Sequence, residues 1–221
     1  MIYEVAGFGC SWIAGDEIDH PTAAPGSPEH IAYREQNCTL GKLAEHVGAK
    51  RVYNFGISGG SLQSTQWEFF RWVKIHLSTR PDPSQTLIVV GLTEASRQSW
   101  FTNDKKSRYM HSHWVHPGDT WEDFWKFYTV NADNKHLWTT NYWFTTNFFH
   151  SYCNTHGLRL LQFNVFPPPI ASKHLLHPNW NARDFMWQHN SEQNHSLLAE
   201  HKHPNEKGSK FLAERLYKMC N

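Results

Sequence analysis

The chain has 221 residues, a length that suits one domain with a full hydrophobic core. Its 21 Lys and Arg against 20 Asp and Glu give a formal net charge of +1, so no global field draws it to nucleic acid or to an acidic membrane. It lacks any run of about 18 apolar residues that would span a bilayer, and Met1-Ile-Tyr-Glu-Val has no basic signal-peptide region. The four cysteines form no CxxC pair and read as free thiols, which places the chain in the cytoplasm as a first expectation.

Taken in chain order, Ile2 to Phe8 is a short apolar run that predicts a strand ending at Gly9. Residues 17–37 hold Pro21, Pro25, Gly26 and Pro28 and read as a loop. Thr39 to His46 is predicted helical, with Leu40, Leu43, Ala44 and Val47 on one face and Gly48 as its stop. Arg51 to Phe55 predicts a second strand running into the turn Gly56-Ile57-Ser58-Gly59-Gly60. Ser61 can cap a long helix with Leu62, Gln66, Phe69, Phe70, Val73 and Leu77 in one stripe, ended by Pro81. Thr86 to Val90 is nearly all apolar, as a strand buried on both faces should be. A helix over about 134–155 leads to another such strand, Leu158 to Phe166. The last helix follows Pro204, with Phe211, Leu212, Leu216 and Met219 at helical spacing.

This alternation predicts a single α/β domain over 1–221, a three-layer α/β/α sandwich around a parallel sheet. Residues 98–133 and 167–195, rich in Trp, His, Asn and Pro, read as long connections at one end of it. Aromatics reach 15% with 11 Trp, and there are 16 His. Large aromatics mostly fill cores, and Trp114, Trp121, Phe124, Trp125 and Phe127 are read as packing a lid-like insertion rather than lining a sugar groove. His111, His113 and His116 have metal-ligand spacings, but without Cys they count as chance clustering in a His-rich chain, so no metal or other cofactor is expected.

Ligands of open parallel sheets bind beyond the carboxyl ends of the strands. Ser11, Gly59 and Thr93 follow the first three strands there. Serine needs a base, the base needs an orienting carboxylate, and the tetrahedral oxyanion needs donors already in place. Glu200-His201-Lys202-His203-Pro204 offers an acid and an imidazole three residues apart. His201 competes as base, but only His203 has the acid three positions before it and a proline after. Glu94 and Arg97 beyond the third strand are read as an ion pair, or as an arginine that holds a substrate carboxylate.

The run Phe8-Gly9-Cys10-Ser11-Trp12-Ile13-Ala14-Gly15 resembles the first block of the SGNH (GDSL-type) hydrolases, usually Phe-Gly-Asp-Ser with a glycine four positions on. Asn54-Phe55-Gly56-Ile57-Ser58-Gly59-Gly60-Ser61 is similar to the second block, Val90-Gly91-Leu92-Thr93-Glu94 stands in place of the third, and Glu200-x-x-His203-Pro204 resembles the last. The resemblance implies a flavodoxin-like SGNH fold and an ester hydrolase using Ser11 as nucleophile, His203 as base and Glu200 as orienting acid. Gly59 and Thr93 then form the oxyanion hole, and Asn54, Trp12 and Arg97 are candidate substrate contacts.

Three residues depart from the family pattern. Cys10 and Glu200 replace aspartates, and Thr93 replaces the oxyanion asparagine, whose amide reaches further than a hydroxyl. The implied substrate is a small-molecule or carbohydrate ester, an O-acetyl group foremost. The alternative is a non-catalytic binding or structural module on the same scaffold, homo-oligomeric or assembled into a phage virion.

Overall fold

The computed structural model describes residues 1–77, 82–101, 107–111, 135–175, 177–193 and 195–220. All six residues of β1 (Glu4–Gly9) are buried, which requires a neighbour on both edges and a layer on both faces. After the short helix α1 (Ser11–Ala14), α2 (Pro28–Asn37) and α3 (Thr39–Val47) lead to β2 (Arg51–Gly56), which pairs parallel to one edge of β1. Helix α4 (Leu62–His76) leads to β3 (Thr86–Leu92) on the other edge of β1. An antiparallel pair, β4 (Arg97–Phe101) and β5 (Ser107–His111), stands apart from the sheet. Helix α5 (Lys135–Thr155) returns the chain to β6 (Arg159–Asn164) beside β3, and α6 (Ala182–Glu192) and α7 (Glu206–Cys220) complete the order. The sheet order β2-β1-β3-β6 follows the start of the flavodoxin-like doubly wound order.

Strand side chains alternate between two cores. Val5, Leu87, Val89 and Leu161 pack with Leu40 and Leu43 of α3, Met186 of α6 and Leu212 and Leu216 of α7. Ala6, Phe8, Ile88 and Val90 pack with Phe69 and Trp72 of α4 and Tyr142 and Phe149 of α5. Two apolar faces explain why the strands read as continuous apolar runs rather than as alternating ones. The three layers and the parallel sheet are therefore as the sequence implied. All four cysteines are free, and Cys10, Cys38 and Cys153 are buried. No helix among the described residues is long and apolar enough to cross a membrane.

The structure corrects several readings. The predicted loop at 17–37 contains α2, whose start is marked by Ser27 accepting from His30 N–H, with Pro28 in the first turn. Surrounding Pro and Gly mask this signal in the sequence. Likewise 167–195 contains α6, capped by Asn181 Oδ1 accepting from Asp184 N–H at 2.9 Å. On α4 the buried face runs through Leu62, Thr65, Phe69 and Trp72, while Phe70 is exposed and Gln66 donates to Thr145 Oγ1. Ser61 does cap this helix, with Ser64 completing the reciprocal pair. Pro81, His113, Trp114, His116, Trp121, Phe124, Trp125 and Phe127 lie outside the described residues.

Candidate active site

β1 delivers Ser11 to the carboxyl end of the sheet. Ser11 opens α1, and Gly15 ends that helix in the left-handed conformation. Gly9 pairs with Gly56 on one side and Gly91 on the other, so Ser11, the turn after β2 and Thr93 share one sheet end. A Cβ at Gly56 would lie 2.2 Å from the Ala14 backbone nitrogen, so only glycine lets β2 approach α1 this closely. Asn54 secures the same junction. Its Nδ2 donates to Ile13 C=O at 2.9 Å, and its Oδ1 accepts from Gly56 N–H at 2.9 Å. Its amide is committed to backbone, which corrects the reading of Asn54 as a substrate contact.

His203 arrives from the segment before α7. Its Nε2 is 2.9 Å from Ser11 Oγ, and its Nδ1 is 2.7 Å from Glu17 Oε2. The carboxylate on His203 is thus Glu17 and not Glu200. The chain turns tightly here, with Ala199 N–H bonded to His203 C=O at 2.8 Å, Lys202 at φ 69°, and Leu198 bridged to Pro204. A three-residue offset puts two side chains together on a helix, but on this turn Glu200 faces solvent.

Glu17 holds the turn as well as the ring. Its Oε1 accepts from His201 N–H at 2.7 Å, and its Oε2 accepts from His203 N–H at 3.1 Å. Burial by itself would raise the Glu17 carboxyl. The His201 N–H, the His203 ring and the His203 N–H outweigh it, and the carboxyl lies below its ordinary value. An ionised carboxylate only accepts hydrogen bonds, so His203 Nδ1 carries the proton. Nε2 is then left to accept from the Ser11 hydroxyl. Sequence reasoning missed Glu17 because acids are common in the chain and it opens a segment read as a loop, where no regular spacing ties it to Ser11 or His203. Its one local signal is position, just beyond the glycine that ends the helix opened by Ser11.

The predicted oxyanion residues are only partly distinguished. Among the described residues, neither Ser11 N–H nor Gly59 N–H has an acceptor within the chain. Gly59 sits at φ +67° in the turn closed by Gly60 N–H to Ile57 C=O. Thr93 is 3% exposed, and among the described residues its buried Oγ1 has no hydrogen-bond partner. A buried hydroxyl left unpaired is unfavourable for the resting protein.

Beside Ser11 and His203 opens a cleft of about 550 Å³. Trp12, Arg97 and Glu94, all singled out from the sequence, line it, together with Phe166, Arg183, Trp187, His201 and Lys202. Glu94 and Arg97 do approach as a pair, at 3.6 Å. Arg183 and Trp187 escaped notice because their helix was read as a loop; they lie four apart on α6 and so share a face. Among the described residues no group of three or more His, Cys, Asp or Glu is arranged to hold a metal ion.

Fold and site together define a class: an α/β/α protein with a serine, a histidine and a carboxylate in hydrogen-bonded series at the carboxyl end of a parallel sheet. No family model matches the sequence, nor does any curated protein. Among solved structures the chain is similar to a G-D-S-L-family lipolytic protein from Desulfitobacterium hafniense, at 10% identity over 98% of both chains, with a TM-score of 0.46. It is similar too to an acetyl xylan esterase from the rumen bacterium Butyrivibrio proteoclasticus, at 10% identity and a TM-score of 0.48. That match covers 98% of this chain but only 62% of the esterase. An acetyl-xylooligosaccharide esterase from Geobacillus, as a single-site mutant, matches at 17% identity over 99% of this chain and 94% of its own, with a TM-score of 0.44.

Proposed function

We propose that the chain is a serine esterase working through an acyl-enzyme. The observation that carries this reading is the unbroken series Ser11 Oγ, His203 Nε2, His203 Nδ1 and Glu17 Oε2, at 2.9 and 2.7 Å. Ser11 Oγ attacks the acyl carbon as His203 Nε2 takes its proton. Glu17 stays ionised, fixes the tautomer and stabilises the imidazolium. The carbonyl oxygen becomes an oxyanion facing Ser11 N–H, Gly59 N–H and Thr93 Oγ1–H. His203 then protonates the departing alcohol. Water, deprotonated by the same imidazole, releases the acid and restores Ser11. None of these steps calls on a cofactor.

An O-acetyl group on a carbohydrate is the substrate this reading favours. The half-exposed Trp187 ring at the cleft gives a sugar a stacking face.

An activated serine reacts with a fluorophosphonate probe. Labelling is expected at Ser11, read by mass spectrometry of the peptide, and absent from Ser11→Ala. An unlabelled wild-type protein would overturn the esterase reading in favour of a non-catalytic binding or structural module.

Thr93 supplies a separate check. Thr93→Val removes the hydroxyl and keeps the shape. It is expected to lower kcat about 10²-fold, as loss of one oxyanion donor does. The melting temperature is expected not to fall, because among the described residues that hydroxyl has no partner to lose.

A further inference from the structure

The cleft beside Ser11 is more cationic than an uncharged ester requires. Among the described residues, Arg97, Arg183 and Lys202 line it with one carboxylate, Glu94, while Asp184, outside the lining, pairs with Arg183. Two of these cations are fixed. The Arg97 guanidinium lies 5.0 Å from the centre of the Phe166 ring, and that of Arg183 lies 5.7 Å from the same ring and 5.0 Å from Trp187. Two guanidinium groups drawn to one aromatic ring repel each other, and an anion near both eases that repulsion.

Among the described residues each arginine has one carboxylate near its Nε and none at its Nη atoms. Arg183 Nε donates to Asp184 Oδ1 at 3.1 Å, and Arg97 Nε stands 3.6 Å from Glu94 Oε2, beyond a hydrogen bond. Among the described residues the Nη atoms of both donate to nothing, although the two side chains are only 14% and 28% exposed. The ring contacts position both guanidinium groups, and among the described residues their Nη atoms are not spent on a partner. A planar fork of donors in a half-buried cleft matches a carboxylate.

We infer that the alcohol part of the ester carries a carboxylate, received by Arg97 and Arg183. The inference rests on the esterase reading, and on a small acyl group that leaves the alcohol to fill the cleft. Selectivity then comes from the distance between this anion site and Ser11. An uncharged alcohol of the same shape leaves both guanidinium edges unsatisfied.

The test compares (4-acetoxyphenyl)acetate with 4-isobutylphenyl acetate, which has the same shape without the charge. Titration calorimetry on Ser11→Ala protein is expected to show the charged ester binding about tenfold tighter or better. Added salt should weaken that binding alone. Arg97→Met and Arg183→Met, made in the same background, should each bring the two affinities together. Equal binding, or tighter binding of the isobutyl ester, overturns the inference. The esterase reading is judged separately by the fluorophosphonate probe. Charge-selective binding with an unreactive Ser11 would keep the anion site and lose the esterase; a labelled Ser11 with no charge preference would do the reverse.

Discussion

Ser11→Ala is expected to lower kcat/KM for 4-nitrophenyl acetate by about 10⁴-fold or more while leaving the protein folded. The size follows from the way such groups act. Nucleophile, base and acid work as a unit, so losing the serine forfeits nearly everything the three supply together, and the residual rate comes from the oxyanion donors and binding alone. The small effect on folding follows from what the side chain touches. Among the described residues Ser11 Oγ makes one hydrogen bond, to His203, and a single neutral hydrogen bond contributes about 1 kcal/mol. Steady-state kinetics with a parallel thermal melt check both halves. Wild-type hydrolysis by a folded Ser11→Ala protein would remove Ser11 from the mechanism.

The second large effect separates two glutamates. Glu17→Gln is expected to lower kcat about 10³–10⁴-fold, whereas Glu200→Gln should stay within about twofold of wild type. A glutamine at 17 can turn its NH₂ toward His203 Nδ1. That nitrogen must then accept, the ring proton moves to Nε2, and Ser11 loses its base. Glu200 faces solvent on the turn and has no such hold. A pH series on folding gives an independent readout. The Glu17 carboxyl lies below its ordinary value in the folded protein, first against burial and then through its bonds to His201 and His203. Its contribution to stability is therefore full above the unfolded carboxyl's value and is lost as pH falls through the lower, folded value. The melting temperature of wild type should drop across that acid window, and Glu17→Gln should flatten the drop. Thermal melts at graded pH measure it. A larger loss of activity in Glu200→Gln than in Glu17→Gln would reverse the assignment.

How much of this was legible beforehand depended on whether the information was local. Thr86 to Val90 announces a strand buried on two faces because its own residues are apolar throughout, and Gly48 announces a helix end because few other residues take φ near +68°. Ser11 and His203 were visible because each stands beside a glycine or proline at a strand or helix boundary, and boundaries at one end of a parallel sheet converge. Helix α6 was not visible, since its Asn181 cap sits among Pro, His and Trp that otherwise mark a loop. Arg183 and Trp187 went unseen with it. Asn54 was visible as a residue but not in its role, because only the packed structure shows its amide spent on Ile13 and Gly56.

The sequence alone determined the three layers and the placing of Ser11 and His203 at one end of the sheet. Each depends on the chemistry of neighbouring residues and on the rule that parallel strands deliver their ends to one side. Only the tertiary structure decided which carboxylate meets the imidazole. The tight turn around Lys202 carries Glu200 out to solvent, while the left-handed Glu17 folds its side chain back beneath His201 and His203. Proximity along a chain predicts a contact only where the backbone is regular. At this turn it is not, and a residue 186 positions away supplies the charge.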